Sequence, residues 1–371
     1  MVLHSEFLSE IGLDEHFFAA ESRRGRSFRE EAGELLEQYA AACSEFGCSP
    51  ESEVFLRFHL SDVVNQASFL KEMLKGRQSF LSIVGQPPAD GGRLALEAWH
   101  WKGDIRKSRC EDSLDVLLRN YKAFWFRVPE LHGQGSLAQT LEEFERLKAY
   151  LADRSVTVES GTVRTWLYCR DVDNNYTGLV KARNDFFSRN GLNKGTHFIA
   201  STGIEGQAAE PSCIVAMDSI SYAGLRPGQQ IWLSAPEHLS PTTLYGVSFE
   251  RGTRLVFGDR SHYLISGTAS IDRNGAVVHP FDVARQTERL LENVAALLET
   301  SEGKLSDLRS AVVYLRDPAD SDVVRSILKE TLPPGFPFVV VRAPVCRPAW
   351  LVEMECFGVN AGGSAAFPEF L

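Results

Sequence analysis

No run of eighteen apolar residues occurs in the 371-residue chain, so no segment reads as a membrane-spanning helix. The first thirty residues lack an apolar stretch flanked by basic residues and a small-residue cleavage site, so secretion is not expected and a reducing cytoplasm is the expected compartment. Seven cysteines stand scattered at positions 43, 48, 110, 169, 213, 346 and 356. Their odd number and the absence of any CxxC pair speak against a disulfide framework and a cysteine-based zinc site. Runs of Lys and Arg with interleaved aromatics are also missing, and a formal charge of -10 repels phosphate backbones, so no nucleic-acid partner is expected. Gly203 to Gln207 ("GIEGQ") lacks the third glycine and the opening helix of a dinucleotide turn. There is no Walker loop, no metal-ligand cluster and no nucleophile elbow. Neither a cofactor nor a metal is expected.

What is present is enough apolar material, 44% of residues, to bury more than one core, and it is arranged as a repeat. "VFLRFHLSD" ends at Asp62, "VRTWLYCRD" at Asp171 and "SAVVYLRD" at Asp317. Each is an apolar, β-branched and aromatic run closing on an acidic turn residue, which predicts a strand entering a loop. Helical spacing of apolar residues precedes each one, over Phe28 to Phe46, Leu137 to Leu151 and Val283 to Leu298. A second helical stretch follows each, over Ala67 to Leu74, Leu179 to Asn190 and Asp322 to Leu332, then two strands. The last strand is "RLALEAWHW", "SCIVAMDSISY" or "WLVEMECFGV". The period is too long for a solenoid and predicts three α+β domains, over residues 1–112, 113–235 and 236–371. The third opens with a loop and two strands inside Ala223 to Tyr263. The first shows no such opening strands, and "KGDIRKSRCEDS" reads as a basic, solvated connection.

The repeat, with "GQPP" in its first copy and "VEME" in its third, resembles the RidA/YjgF-like superfamily. That resemblance implies an α+β, chorismate-mutase-like fold. Members are usually homotrimers with sites in the clefts between subunits, so three copies in one chain imply an intramolecular pseudo-trimer, monomeric, with helices outside and sheets around an axis.

In the alternating segment Leu351 to Cys356, Leu351, Glu353 and Glu355 share one face and Val352, Met354 and Cys356 the other. The two glutamates line a cleft or face solvent on an edge strand. "APVCRP" places Cys346 and Arg347 in a Pro-bounded turn just ahead. A carboxyl beside an apolar wall has a raised pKa and is suited to general-acid work near neutrality.

Two lines within the superfamily bear on the site. The deaminase members hold the substrate carboxylate with an arginine fifteen residues ahead of the glutamate aligned with Glu353; here that position is Phe338, and Arg342 lies out of register. From Arg164 to Val359 the chain is similar to the chorismatases, which cleave the enolpyruvyl ether of chorismate. The matching elements are "RTWLY", "VKAR" ending at Arg183, "ASTGI", "YGVSFERGT", "LISGTASI" and "CRPAWLVEME", with seven positions from Cys346 to Glu353. This resemblance implies that Glu353 is the acid, that Cys346 and Gly267 mark a 3-hydroxybenzoate-forming site, and that Arg183 and Arg251 hold substrate carboxylates. Tyr168 and Tyr245 are placed against the ring, and Arg347 completes the set. On the residues alone, Arg183 also reads as a solvated helix position near Asp185, Arg251 as a backbone cap, the tyrosines as core and Gly267 as a strand bulge. The expected partner is a small carboxylate. The expected activity is pyruvate release from chorismate or a related enolpyruvyl ether, with an imine or enamine deaminase, or a silent carboxylate-binding protein, as alternatives.

Overall fold

The computed structural model describes residues 1–128 and 130–371, apart from the Tyr245 side chain. In its first part β1 (Val2–Phe7), β2 (Asp14–Glu21), α1 (Phe28–Glu45), β3 (Glu53–Leu60), α2 (Val63–Met73), β4 (Phe80–Gly85) and β5 (Leu94–Lys102) build a sheet of order β1-β2-β5-β3-β4. Next come β6 (Arg106–Cys110), β7 (Ser113–Leu117), β8 (Lys122–Arg127), α3 (Gly135–Ala152), α4 (Val158–Gly161), β9 (Thr162–Cys169), α5 (Val172–Arg189), β10 (Ala200–Glu205) and β11 (Val215–Ala223). Their sheet runs β6-β7-β8-β11-β9-β10. The third comprises β12 (Gln230–Trp232), β13 (Gly252–Val256), β14 (Ser261–Ala269), α6 (Val283–Glu299), β15 (Leu308–Leu315), α7 (Ser321–Thr331), β16 (Phe338–Arg342) and β17 (Val352–Asn360), in the order β12-β13-β14-β17-β15-β16. The strand order is the same three times, with one edge strand fewer in the first unit. In each unit one pair is parallel: β3 with β4, β9 with β10, β15 with β16. The α+β architecture of three tandem units is therefore as the repeat predicts.

Three local expectations fail for identifiable reasons. The first unit does have opening strands. β1 is a half-exposed edge and β2 is buried along nearly its whole length, so neither shows the alternation that marks a strand with one wet face. The basic connection contains β6, an edge strand of sequence RKSRC paired to β7; that pairing puts Arg106 to Cys110 with the second sheet, as β12 goes with the third. The second helices also start early. Asp171 takes a left-handed conformation, φ 52°, and turns the chain from β9 straight into α5, where a loop is expected from the sequence.

The helices cover one face of each sheet. Leu35 and Tyr39 of α1 pack with Phe58 and Leu96, and Phe144 of α3 and Phe186 of α5 with Leu167 and Met217. The capping box of Ser27 and Glu30 opens α1. The opposite faces converge on a shared interior, where Trp99 of the first sheet lies 4.3 Å from Phe357 of the third and 6.2 Å from Trp125 of the second, between ring centroids. Around that axis the contacts repeat in threes. β4 packs on β8, β10 on β14 and β16 on β2, and isolated bridges join Gly85 to Gln207, Ile204 to Val345 and Pro88 to Val341. This is the pseudo-trimer.

Candidate active site

β17 lies between β14 and β15 in its sheet, so its acidic face is not an exposed edge: Glu353 is 5% and Glu355 4% exposed. The two carboxylates, two residues apart on one face, meet different surroundings. Glu355 reaches the axis. There its Oε1 accepts from Arg57 Nη2 at 2.7 Å and from Trp166 Nε1 at 2.7 Å, and its Oε2 from Arg164 Nη2 at 2.9 Å. Arg57 also donates to Glu97 at 2.6 Å and to the Tyr168 hydroxyl at 3.0 Å. Burial alone would raise the Glu355 pKa, but the neighbouring Arg57 and Arg164 hold it below the usual carboxylate range. The axial cavity beside it, walled by Phe17, Trp99 and Trp166, thus has its ionic groups paired by the protein itself.

Glu353 instead faces the cleft between the second and third units, lined also by Arg183, Thr202 and Arg251. Burial, reinforced by the charge of Glu355 and opposed by Arg251 and Arg164, pushes its pKa up to about 8. It is a protonated carboxyl at neutral pH. The cleft wall is shaped for it by Gly267, which sits where the β14–β17 register shifts between Ile265 and Thr268. A Cβ at Gly267 would overlap Oε1 of Glu353 and lie 2.8 Å from its Cδ. The Gly267 N–H donates to Thr202 Oγ1 at 2.9 Å, and Arg164 donates to the same hydroxyl, so the bulge is tied to the axial ion network.

The cations come from α5 and from the segment leading into β13. Arg183 is 1% exposed, not solvated, and its Nε and Nη2 have no hydrogen-bond partner among the described residues. A buried guanidinium with unmet donors is costly without a ligand. Arg251 donates to the Ser240 carbonyl at 2.9 Å and 3.3 Å, the backbone role the sequence allows, and still lines the cleft. Both guanidiniums flank one ring, at 5.6 Å and 5.5 Å from the Phe249 centroid. Exposed Arg347 lies over Trp350, 5.5 Å from its ring centroid, at the rim. Cys346 also lines the cleft; burial, with Glu353 next, pushes its thiol up to about 12, so it is neutral and no ready nucleophile.

Six of the eight residues singled out from the sequence therefore meet in one cleft: Arg183, Arg251, Gly267, Cys346, Arg347 and Glu353. Tyr168 does not. It is fully buried on β9, its hydroxyl accepting from Arg57 and its ring against Gly206. Tyr245 has its backbone in the single turn Thr242–Tyr245, but its side chain lies outside the described residues. Phe338 opens β16 and takes Arg325 over its ring; no cation enters the cleft from β10, which brings Ser201, Thr202 and Gly203. The sequence reading missed Tyr176 and Thr202. Tyr176 was findable: it lies seven residues before Arg183 on α5, hence on the same helix face, and a Cβ at Gly203 would stand 3.1 Å from its ring.

At the matching places of the other two clefts the protein's own ion pairs meet. Between the first and second units Arg127 donates to Asp218 at 2.6 Å, the Ile83 carbonyl at 3.0 Å and Ser82 at 3.1 Å. Between the third and first, Glu21 accepts from Arg325 at 2.8 Å and from the Val340 N–H at 2.9 Å. On the last strands of those units the residues matching Glu353, two before Glu97 and Asp218, are Ala95 and Ala216. The acid occurs at that position in the third copy alone.

Comparison with known proteins bears on the family and the fold. The family described as Endoribonuclease L-PSP matches residues 257–360, from the turn after β13 to the end of β17. The 3-aminoacrylate deaminase RutC of Acinetobacter baylyi is 32% identical over 91 residues, 24% of this chain and 72% of that one. A crystal structure of a chorismatase superposes with a TM-score of 0.66 at 20% identity, covering 92% of this chain and 98% of the other. At that identity the likeness is one of fold. Among the described residues no helix is long and apolar enough to cross a membrane.

Proposed function

The chain belongs to the RidA/YjgF-like superfamily, and from that premise we propose that it is a chorismatase-like enzyme, releasing pyruvate from chorismate or a related enolpyruvyl ether. The observation that carries this reading is the pairing of a neutral buried acid, Glu353, with a buried cation, Arg183, two of whose nitrogens lack partners among the described residues, in the cleft between the second and third units. An enolpyruvyl ether needs both. Its carboxylate is held by Arg183, with Arg251 and Arg347 on the cleft wall facing a second carboxylate on the ring. Glu353 then donates its proton to the terminal methylene carbon of the enol ether. The ether oxygen's lone pair stabilises the resulting oxocarbenium carbon; water adds there, a proton is lost, and the hemiketal collapses to pyruvate and the ring alcohol. General-acid donation of this kind contributes about 100- to 10,000-fold. A carboxylate left on Glu353 next to Glu355 re-protonates readily, for the same reason that its pKa is high. Cys346 and Gly267 favour the branch in which the ring rearranges and 3-hydroxybenzoate is released. No cofactor is needed for either branch, and the site we assign is complete within one chain.

The similarity to RutC supports a second reading, deamination of an imine or enamine through a water held by Glu353. Incubation with chorismate, followed by chromatography and a pyruvate assay, tests the first reading. Pyruvate with an aromatic or dihydrodiol product supports it. Ammonia from freshly generated iminopyruvate, with chorismate untouched, replaces it by the second. A ligand-induced thermal shift without turnover makes the protein a carboxylate-binding pseudo-trimer.

A further inference from the structure

Away from the cleft, the first unit carries a group of side chains with the make-up of a metal site. Glu6 of β1 stands directly opposite His16 of β2, and His4 one diagonal step away, opposite Phe18. All three side chains therefore leave the same face of the ribbon. His4 Nε2 is 3.1 Å from His16 Nδ1, and Glu6 Oε2 is 3.3 Å from that same nitrogen. The donor atoms of all three lie within 4.8 Å of one another. Two ligands held tetrahedrally at about 2.0–2.1 Å from one ion stand about 3.3 Å apart, close to both spacings here.

The surroundings suit a cation. The His4 ring stacks on Phe46, 3.5 Å between centroids, which fixes its plane. Asp14 adds negative charge near His16, opposed by Lys102. With the ring proton on His16 Nε2, which has no partner among the described residues, Nδ1 presents its lone pair to the site.

We propose that His4, Glu6 and His16 bind one divalent cation of the zinc class, fastening the edge strand β1 to β2. Two imidazoles and a carboxylate are a donor set for that class, with the fourth position left to water. The ligands come from two strands and form no short motif, which is why the sequence by itself predicts no metal. The rival arrangement is a plain hydrogen bond between the two histidines beside a surface glutamate.

The full chain, freed of any affinity tag and stripped with a chelator, decides between them by calorimetric titration with Zn²⁺ and by the visible spectrum with Co²⁺. The expected result is one ion per chain and a four-coordinate Co²⁺ spectrum without a thiolate charge-transfer band, which excludes exposed Cys110 as a ligand. His4→Ala and Glu6→Gln should each weaken binding at least about tenfold, since loss of a group that merely orients a ligand already costs that much, with the far-ultraviolet circular dichroism unchanged. Absence of saturable binding, equal affinity in His4→Ala, or a thiolate band overturns the proposal. None of these outcomes depends on what the cleft catalyses.

Discussion

Replacing Arg183 by Met separates a ligand-binding arginine from a structural one, because the two roles predict opposite signs for stability. Arg183 is 1% exposed and two of its nitrogens lack partners among the described residues. A buried donor left unsatisfied costs about 1–3 kcal/mol, more when charged. Met keeps much of the aliphatic length and removes the charge, so the unliganded variant should be more stable than the wild type by about 1–3 kcal/mol. The same change deletes the two donors available to a substrate carboxylate. At about 1.5–3 kcal/mol per charge-assisted bond, two bonds amount to about 3–6 kcal/mol, or about 10²- to 10⁴-fold in kcat/KM at 1.4 kcal/mol per tenfold. Urea unfolding with an unchanged slope measures the first effect, and steady-state turnover of chorismate the second. A variant that is less stable than the wild type and turns over normally would refute the reasoning and make Arg183 a packing residue.

The remaining predictions concern the two glutamates. Glu353→Gln should keep the fold and ligand binding while turnover falls by about two orders of magnitude or more; full turnover would remove the general acid from the mechanism. Because the Glu353 pKa is raised from 4.5 to about 8, between those values the folded state keeps a proton that the unfolded state has released. Its contribution to stability therefore declines as pH rises across that window, and the donating form is lost above about 8; kcat/KM should fall on that alkaline limb, and a profile flat to pH 10 contradicts the assignment. Glu355→Gln should instead cost about 3–5 kcal/mol of stability, because it strips a buried charge from Arg57 and Arg164; a loss under about 1 kcal/mol in urea unfolding would mean the axis tolerates unpaired arginines.

Much of the architecture is legible without coordinates. Three apolar runs closing on Asp62, Asp171 and Asp317, each flanked by amphipathic helices, are local patterns, and local patterns survive folding because every unit must bury the same helix face against the same sheet face. The spacing of Cys346 from Glu353 and the alternation in Leu351 to Cys356 likewise bring the acid to the turn that precedes it. What the sequence could not show are the strands whose environment is not periodic. β2 is buried on one face by its own helix and on the other by the shared interior, and β6 is polar on both as a wet edge, so each lacks the alternation that a half-buried strand displays.

The candidate site divides in the same way. Residue identity and order single out Glu353, Arg183, Arg251, Gly267, Cys346 and Arg347, and those choices need no third dimension. Tyr168 looks equivalent to them in sequence, yet the tertiary structure turns it to the axis, where Arg57 occupies its hydroxyl. Packing across units also distinguishes the clefts: Arg127 occupies one, Glu21 with Arg325 another, and in the third Arg183 has two nitrogens without a partner among the described residues. The same packing decides the chemistry of two identical side chains. Glu353 and Glu355 are neighbours on one face of one strand, but arginines from the two other units reach only the second, so one is held ionised and the other keeps its proton. A chain can specify that a glutamate is present; its charge at neutral pH depends on which groups the completed fold brings within a few ångströms of it.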